Sequence, residues 1–174
     1  GTGEYNPQTY SIHGIQNNPD QNIVLQFPPP IPRFGTGAST TSPVMEILKV
    51  FFILDDITAA GTQVSIIGSI STADLGNNPP GINNTGYITD ARAIAFFSFD
   101  GIFSTATGVV YTSRVFECNL EDGSGRGLLV ATDSIYLAIS TVGTGRANTL
   151  SAKILYRMKN VTLQEYVGIV QSQQ

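Results

Sequence analysis

The stretch LSAKILYRMK (residues 150–159) decides the fold of this chain, because apolar and polar side chains alternate along it almost without a break. One row of side chains is apolar: Leu150, Ala152, Ile154, Tyr156 and Met158. The other row is mostly polar and basic: Ser151, Lys153, Leu155, Arg157 and Lys159. A period of two is the signature of a β-strand with one face in a core and the other toward solvent. The stretch therefore predicts a half-buried strand.

Other segments of the chain carry similar strand patterns. They are residues 10–16, 22–27, 45–54, 64–70, 91–99, 109–120 (one strand or two joined by a bend), 128–132 and 134–142. Residues 45–54 are almost continuously apolar, which predicts a strand that is buried on both faces or faces a partner. No internal repeat is visible, and the loops are of unequal length. About eight strands of this kind predict an all-β antiparallel sandwich, folded as a single jelly roll.

Three segments of different character divide what we expect to be one domain. Residues 1–44 are predicted as an extended N-terminal arm, residues 45–161 as the jelly-roll body and residues 162–174 as a C-terminal tail. The prolines at 28–30 and 32 remove backbone donors, so this part of the arm is polyproline-like or lies at a sheet edge. Residues 35–43 are predicted as a loop and residues 73–90 as a long turn-rich excursion. The arm either crosses to a neighbouring molecule or packs on its own domain.

The tail carries a helix-start signal. Thr162 and Glu165 fit a capping box, and Val161 and Tyr166 are spaced for the hydrophobic staple that accompanies it. The valines and isoleucine further on would also suit a strand. We favour a short helix that begins at Leu163.

The composition favours contact with other protein surfaces. Charged residues make up 13% of the 174 residues, about half of the roughly 25% found in ordinary soluble domains. A surface rich in Ser, Thr, Asn and Gly is cheaper to desolvate than one rich in Lys and Glu. The net charge of −4 argues against nucleic-acid binding by this segment alone. No apolar run is long enough for a membrane helix, so no membrane partner is expected. A plain extracellular sandwich rich in Ser and Thr would have the same composition.

Side chains typical of catalytic and metal sites are scarce. The single histidine, His13, lies in the arm, and the single cysteine, Cys118, is expected to be a small buried hydrophobe. Zinc sites need several such ligands, and no G-x-S-x-G elbow is present. The paired acids Asp55/Asp56 and Glu121/Asp122 match no EF-hand spacing. We expect no enzyme and no catalytic, cofactor or metal site; structural calcium between subunits is not indicated.

Two basic features invite a functional interpretation. The loop GSGRG (residues 123–127) lacks the Lys-Ser/Thr of a phosphate-binding loop and precedes a strand, so it is predicted as a tight hairpin. Arg126 at its tip is a candidate for an intersubunit hydrogen bond. Lys153, Arg157 and Lys159 form a short basic ladder that either faces nucleic acid or is simply solvated.

Two stretches carry a family resemblance. Residues 122–140 (DGSGRGLLVATDSIYLAIS) followed by residues 153–174 (KILYRMKNVTLQEYVGIVQSQQ), together with MEILKVFFILDD (residues 45–56), resemble capsid proteins of small circular single-stranded DNA viruses that encode a replication initiator. The resemblance implies a single jelly roll that assembles with copies of itself into an icosahedral shell around the genome, as part of the virion. That family usually has an Arg/Lys-rich N-terminal arm, which is not among these residues and is expected to lie before Gly1 if it exists.

The predicted function is therefore that of a virus coat protein. Arg126, Tyr166, Val167 and Ile169 are the predicted intersubunit contacts, and the basic ladder is the predicted genome-facing set. One alternative is a β-sandwich carbohydrate-binding or adhesin module, with Tyr87 in its Asn-rich loop as the candidate sugar contact. Another is a filament subunit whose arm completes a neighbour's sheet.

Overall fold

The computed structural model describes residues 6–31, 41–55, 57–58, 63–75, 90–102, 110–111 and 114–174. Within these ranges the chain forms eleven strands and one helix. They are β1 Gln8–Ile15, β2 Ile23–Phe27, β3 Thr41–Leu54, β4 Ile57–Thr58, β5 Gln63–Ser71, β6 Ala93–Ile102, β7 Val110–Tyr111, β8 Arg114–Asn119, β9 Leu128–Val130, β10 Ile135–Val142, β11 Thr149–Thr162 and α1 Leu163–Gln173.

Two antiparallel sheets make up the sandwich. Sheet A has the order β1-β11-β3-β8, with β9 also paired to β3, and sheet B has the order β2-β10-β5-β6. The short strands β4 and β7 pair separately. Counted in chain order, the eight long strands alternate between the sheets except at β5 and β6, which pair with each other in sheet B, and the first strand lies beside the last. This arrangement is the jelly roll, and the predicted fold class is confirmed.

The residues assigned to the arm contribute a strand to each sheet. β1 pairs with β11 from Gln8↔Tyr156 to Ile15↔Thr149, and β2 pairs with β10. The loop expected over residues 35–43 ends earlier than predicted, because Thr41, Ser42 and Pro43 already belong to β3. Pro43 is tolerated there because the described pairing of β3 with β9 begins only at Met45, so at Pro43 one side of the strand is a sheet edge. The tip of the excursion, residues 76–89, lies outside the described residues.

Strand β11 has the predicted alternation. Its apolar row, from Leu150 to Met158, is buried, while Lys153 on the opposite row is exposed. The apolar row meets the inward residues of β3, and the pairing slips by one residue between Leu155 and Tyr156. Because of this bulge, β3 presents Val50 to the core but also turns Val44 and Glu46 to the outside. β3 therefore has two halves whose inward-facing rows are offset by one residue, and the first half is buried on both faces. This explains why its sequence is apolar almost without interruption.

The core lies between the sheets and includes an aromatic stack. Phe97 of sheet B stands between Phe52 and Phe116 of sheet A, with ring centroids 5.0 Å and 4.6 Å away respectively. Aromatic pairs at such distances add about 0.5–1.5 kcal/mol beyond the area they bury. Strand β5 is buried on both faces along most of its length, including Ser65 and Ser69. Sheet B therefore has its central strand enclosed.

The predicted C-terminal helix is confirmed. Thr162 Oγ1 accepts a hydrogen bond from Glu165 N (3.2 Å), and Glu165 Oε2 accepts one from Thr162 N (3.2 Å). Val161 and Tyr166 lie in one apolar cluster, as the staple requires. β11 therefore ends at Thr162, which is also the N-cap residue of α1. No described helix is both long and apolar enough to span a membrane.

Candidate assembly surface

Helix α1 packs on the outside of sheet A through a second apolar cluster. The members of this cluster are Val44, Ala131 and Val161, with Leu129, Tyr166, Ile169 and Val170 packed against them. Val44 is available because the bulge turns it outward. Tyr166 and Ile169, two of the predicted intersubunit contacts, therefore face their own subunit.

The end of α1 is anchored by one glutamine. Gln173 is 5% exposed, its Nε2 donates to Leu129 O (2.6 Å) and its Oε1 accepts from Ala131 N (3.1 Å). Its carbonyl oxygen accepts from Thr72 Oγ1 (2.9 Å). A buried amide with both ends satisfied fixes the position of the helix C-terminus. Sequence periodicity does not reveal this anchor, because glutamine is usually a surface residue.

The outer side of α1 exposes apolar surface. Leu163 is 50% exposed and Val167, one turn later, is 52% exposed. Among the residues of α1, Glu165 alone is charged. Val167, a predicted intersubunit contact, is therefore placed where another molecule can reach it. We call Leu163 and Val167 the helix pair.

One carboxylate, that of Asp122, orders the glycine loop between β8 and β9. Asp122 Oδ1 accepts hydrogen bonds from Ser124 N (2.8 Å), Ser124 Oγ (2.7 Å) and Arg126 N (3.3 Å). The two hydrogen bonds from Ser124 contribute most to a lowered pKa of Asp122. Gly123 and Gly125 have positive φ, as predicted (91° and 85°).

The loop is not the predicted hairpin. β8 and β9 do not pair with each other but follow one another along β3, so the loop leaves the sheet opposite the bulge. Arg126 is exposed at its tip, where it can meet another molecule.

Two members of the basic ladder share a buried acid. Glu46 is 1% exposed and pairs with Arg157, while Lys159 Nζ lies 3.7 Å from its other oxygen. Arg157 Nη2 also donates to Gly125 O (2.6 Å), which ties the ladder to the glycine loop. The sequence signal for Glu46 is its place inside an apolar run. Lys153 is exposed on the same strand, and no described acid lies within ion-pair distance of it.

The single cysteine and histidine lie apart. Burial raises the pKa of the Cys118 thiol, whose Sγ lies 3.3 Å from Phe96 O. His13 is exposed on the outer face of β1. Within the described ranges, no three His, Cys, Asp or Glu side chains come together as metal ligands would.

A cleft of about 320 Å³ opens where β9, β10 and α1 meet. Tyr136 and Tyr166 contribute rings to its wall, and Asp74 and Asp133 contribute carboxylates. Rings, carboxylates and amides are the groups with which proteins bind sugars and other polyols. Tyr87, the predicted sugar contact, lies outside the described residues.

Comparison with known proteins gives a match in structure alone. No family model and no curated protein matches the chain. VP1 of Trichodysplasia spinulosa-associated polyomavirus, in complex with GM1 oligosaccharide, has a TM-score of 0.53 and 8% identity over 90% of this chain and 94% of that one. Merkel cell polyomavirus VP1, in complex with GD1a oligosaccharide, has a TM-score of 0.53 and 10% identity over 92% and 97%. New Jersey polyomavirus VP1 has a TM-score of 0.51 and 7% identity over 90% and 100%.

These similar structures are jelly-roll capsid proteins. At such identities the likeness shows a shared fold. The finer resemblance to capsid proteins of circular single-stranded DNA viruses stays a prediction.

Proposed function

We propose that this chain is a structural subunit of a virus capsid, which assembles with copies of itself into a closed icosahedral shell around the viral genome. The observation that carries the proposal is the jelly-roll fold, whose similarity to VP1 capsid proteins extends over about nine-tenths of both chains. Fold alone does not imply function, so the surface has to support the proposal as well.

The surface favours self-association. A closed shell needs several contacts per subunit between identical chains. The helix pair presents apolar side chains that are half exposed, and the helix that carries it has a single charged residue, Glu165, so burial of the pair opposes little charge on α1 itself. Arg126 adds a hydrogen-bond donor on a stiff loop. We assign intersubunit contact to Val167 and Arg126, and an indirect role to Tyr166 and Ile169, which hold the helix in place.

Genome contact is proposed for the basic ladder only in part. Arg157 and Lys159 share the single negative charge of Glu46, whereas Lys153 has no described acid beside it. Neutralising phosphates needs several cations. The net charge of −4 therefore favours a shell role for these residues over genome packaging.

The purified chain tests the proposal by negative-stain microscopy and sedimentation. We expect hollow particles from the wild type and from the control N17K/N18K, which adds the same two charges at exposed positions of the β1–β2 connection. The variant L163K/V167K should remain as free subunits with an unchanged melting temperature, because two added charges oppose burial of the helix pair. Removal of residues 163–174 is a poorer test, since it also removes the Gln173 anchor. Fibres or solitary subunits from the wild type under all assembly conditions would contradict the proposal.

A second, compatible function is saccharide binding in the cleft beside α1. Its lining of two tyrosines and two carboxylates favours it, and two of the similar structures were solved with oligosaccharides. A glycan array should give hits that Y136A abolishes and that H13A, on the exposed outer face of β1, leaves intact. An array without hits would rule this function out for the cleft.

A further inference from the structure

The outer face of sheet A carries an unusual amount of exposed apolar surface. In two neighbouring rows across the strands, the register aligns Ser11, Lys153, Phe51 and Glu117, then His13, Ser151, Ile53 and Val115. Ile53 is 41% exposed and Val115, directly opposite it, is 63% exposed. Phe51 is half-buried one row away. Solvated faces of antiparallel sheets are normally polar, so this face has the character of a surface that becomes covered.

Two charges flank the apolar centre of this face. Lys153 lies on β11 and Glu117 on β8, one strand to either side of Phe51, which is about 4.8 Å each way. Glu117 Oε1 accepts from Lys49 Nζ (3.1 Å), but its side chain remains 49% exposed. The face thus carries Lys153 on one side, the apolar residues Phe51 and Ile53 of β3 in the middle, and Glu117 on the other side, where it pairs with Lys49 from the same outer row of β3.

We propose that this face binds the same face of a second copy about a two-fold axis that runs parallel to β3, above Phe51 and Ile53. A rotation about this axis exchanges the two sides of the face. Lys153 of one copy then lies over Glu117 of the other, twice, while Phe51 and Ile53 lie over their own counterparts. A two-fold axis perpendicular to the strands and above the row of Phe51 would place Lys153 over Lys153 and Glu117 over Glu117, which repulsion disfavours. The axis parallel to β3 places Lys49 over its counterpart, but each Lys49 keeps Glu117 of its own copy as an ion-pair partner. The match of Lys153 with Glu117 therefore favours a second copy as the partner in this orientation.

The inference extends the proposed function by naming one contact of the shell. About this axis three strands (β11, β3 and β8) lie over strands of the second copy; at a spacing of about 4.8 Å, and covered over about 20 Å of their length, they give on the order of 300 Å² per copy. Stable two-protein interfaces bury about 800 Å² per partner. The contact is therefore weak by itself and suits a shell in which several contacts act together.

Covalent capture tests a weak contact directly. Sheets packed face to face lie about 10 Å apart, beyond the Cα separation of about 7 Å that a disulfide spans, so a short bismaleimide is the suitable reagent. In a C118S background, F51C and I53C place a thiol on the proposed axis. The control S98C places one at an exposed site on sheet B. We expect at least tenfold more covalent dimer from F51C and I53C than from S98C. Equal yields from all three would overturn the inference.

Charge exchange tests the orientation. In the I53C background, K153E and E117K should each reduce dimer yield several-fold, and K153E/E117K together should restore it. If K153E instead lowers retention of single-stranded DNA and leaves dimer capture unchanged, Lys153 contacts nucleic acid and the inference is wrong. Particles that form without capture at residue 53 would overturn this contact and leave the capsid function standing. Capture at residue 53 without particles would support this contact and contradict the capsid function.

Discussion

Gln16 and Asn148 are joined by two hydrogen bonds across 132 positions of sequence. Gln16 N donates to Asn148 O (3.0 Å), and Asn148 N donates to Gln16 Oε1 (2.9 Å). Both residues are buried, at 1% and 0% exposure. Gln16 Nε2 also donates to Gln21 O (2.6 Å) and Thr141 Oγ1 (2.9 Å). One side chain thus fixes three connections at one end of the sandwich.

Replacing Gln16 should therefore destabilise the fold strongly. Gln16→Leu keeps the volume but leaves the Asn148 N–H and the Gln21 carbonyl without their partners in a buried place. Each such loss costs about 1–3 kcal/mol, so we expect the free energy of unfolding to fall by about 2–4 kcal/mol in urea denaturation. Gln164→Leu, on the exposed side of α1, is the matched control and should change it by less than about 0.5 kcal/mol. Equal effects of the two replacements would contradict this account.

The buried Glu46 should make Arg157 important for stability. Arg157→Met leaves a carboxylate that is 1% exposed with only Lys159 near it, and breaking a buried pair costs about 3–5 kcal/mol. The exposed pair of Lys49 and Glu117 offers the comparison: Lys49→Met should cost less than about 1 kcal/mol. Chemical denaturation of both variants measures the difference. A cost for Arg157→Met no larger than that for Lys49→Met would show that solvent already screens Glu46.

Two glycines should respond to alanine in opposite ways. Gly168 lies inside α1, and a Cβ there would meet no atom within 4 Å, so Gly168→Ala should stabilise the chain by about 0.5–1 kcal/mol. At Gly68 a Cβ would contact the Phe97 ring and lie 2.6 Å from Leu150 Cδ2. Gly68→Ala should therefore destabilise by about 1–3 kcal/mol. In thermal unfolding, the melting temperature should rise for Gly168→Ala and fall for Gly68→Ala. A shift in the same direction for both variants would contradict this account of the packing around the two glycines.

Acid should weaken one pair at the start of β6. Hydrogen bonds from the Arg92 side chain, above all, lower the pKa of Asp90 to about 2. The pKa of this carboxyl is lower in the folded chain than in the unfolded one. It therefore stabilises the fold above pH 4 and ceases to do so as the pH falls toward 2. The wild type should melt at a higher temperature than Asp90→Asn above pH 4, and this difference in melting temperature should shrink as the pH falls toward 2. The change should be small because the pair is partly exposed. In an Arg92→Met background the same comparison should change less with pH, because the side-chain hydrogen bonds are lost while the backbone N–H of residue 92 still donates to Asp90 Oδ1.

Local patterns predict those parts of the fold that depend on residues a few positions apart. The alternation of β11 and the capping box of α1 are of this kind, and both are confirmed. The pairing of Glu46 with Arg157 joins residues 111 positions apart, and it depends on a bulge that has no local signature. The same holds for the two charges on the outer face of sheet A, because only the register of β3 with β11 and β8 brings Lys153 and Glu117 to either side of Phe51. Tyr166 and Val167 are adjacent in sequence, but the packing of the helix turns Tyr166 toward its own sheet and leaves Val167 exposed.

The place of β11 between β1 and β3 has a consequence for synthesis. Of the described strands, β11 is the last to leave the ribosome, and until it arrives both of its neighbours present backbone edges without a partner on that side. Sheet A can therefore close only after residues 149–162 have been synthesised. A nascent chain that stops short of β11 also lacks Lys153 and the helix pair, so two of the proposed contacts between copies cannot form while these edges are open to misassociation.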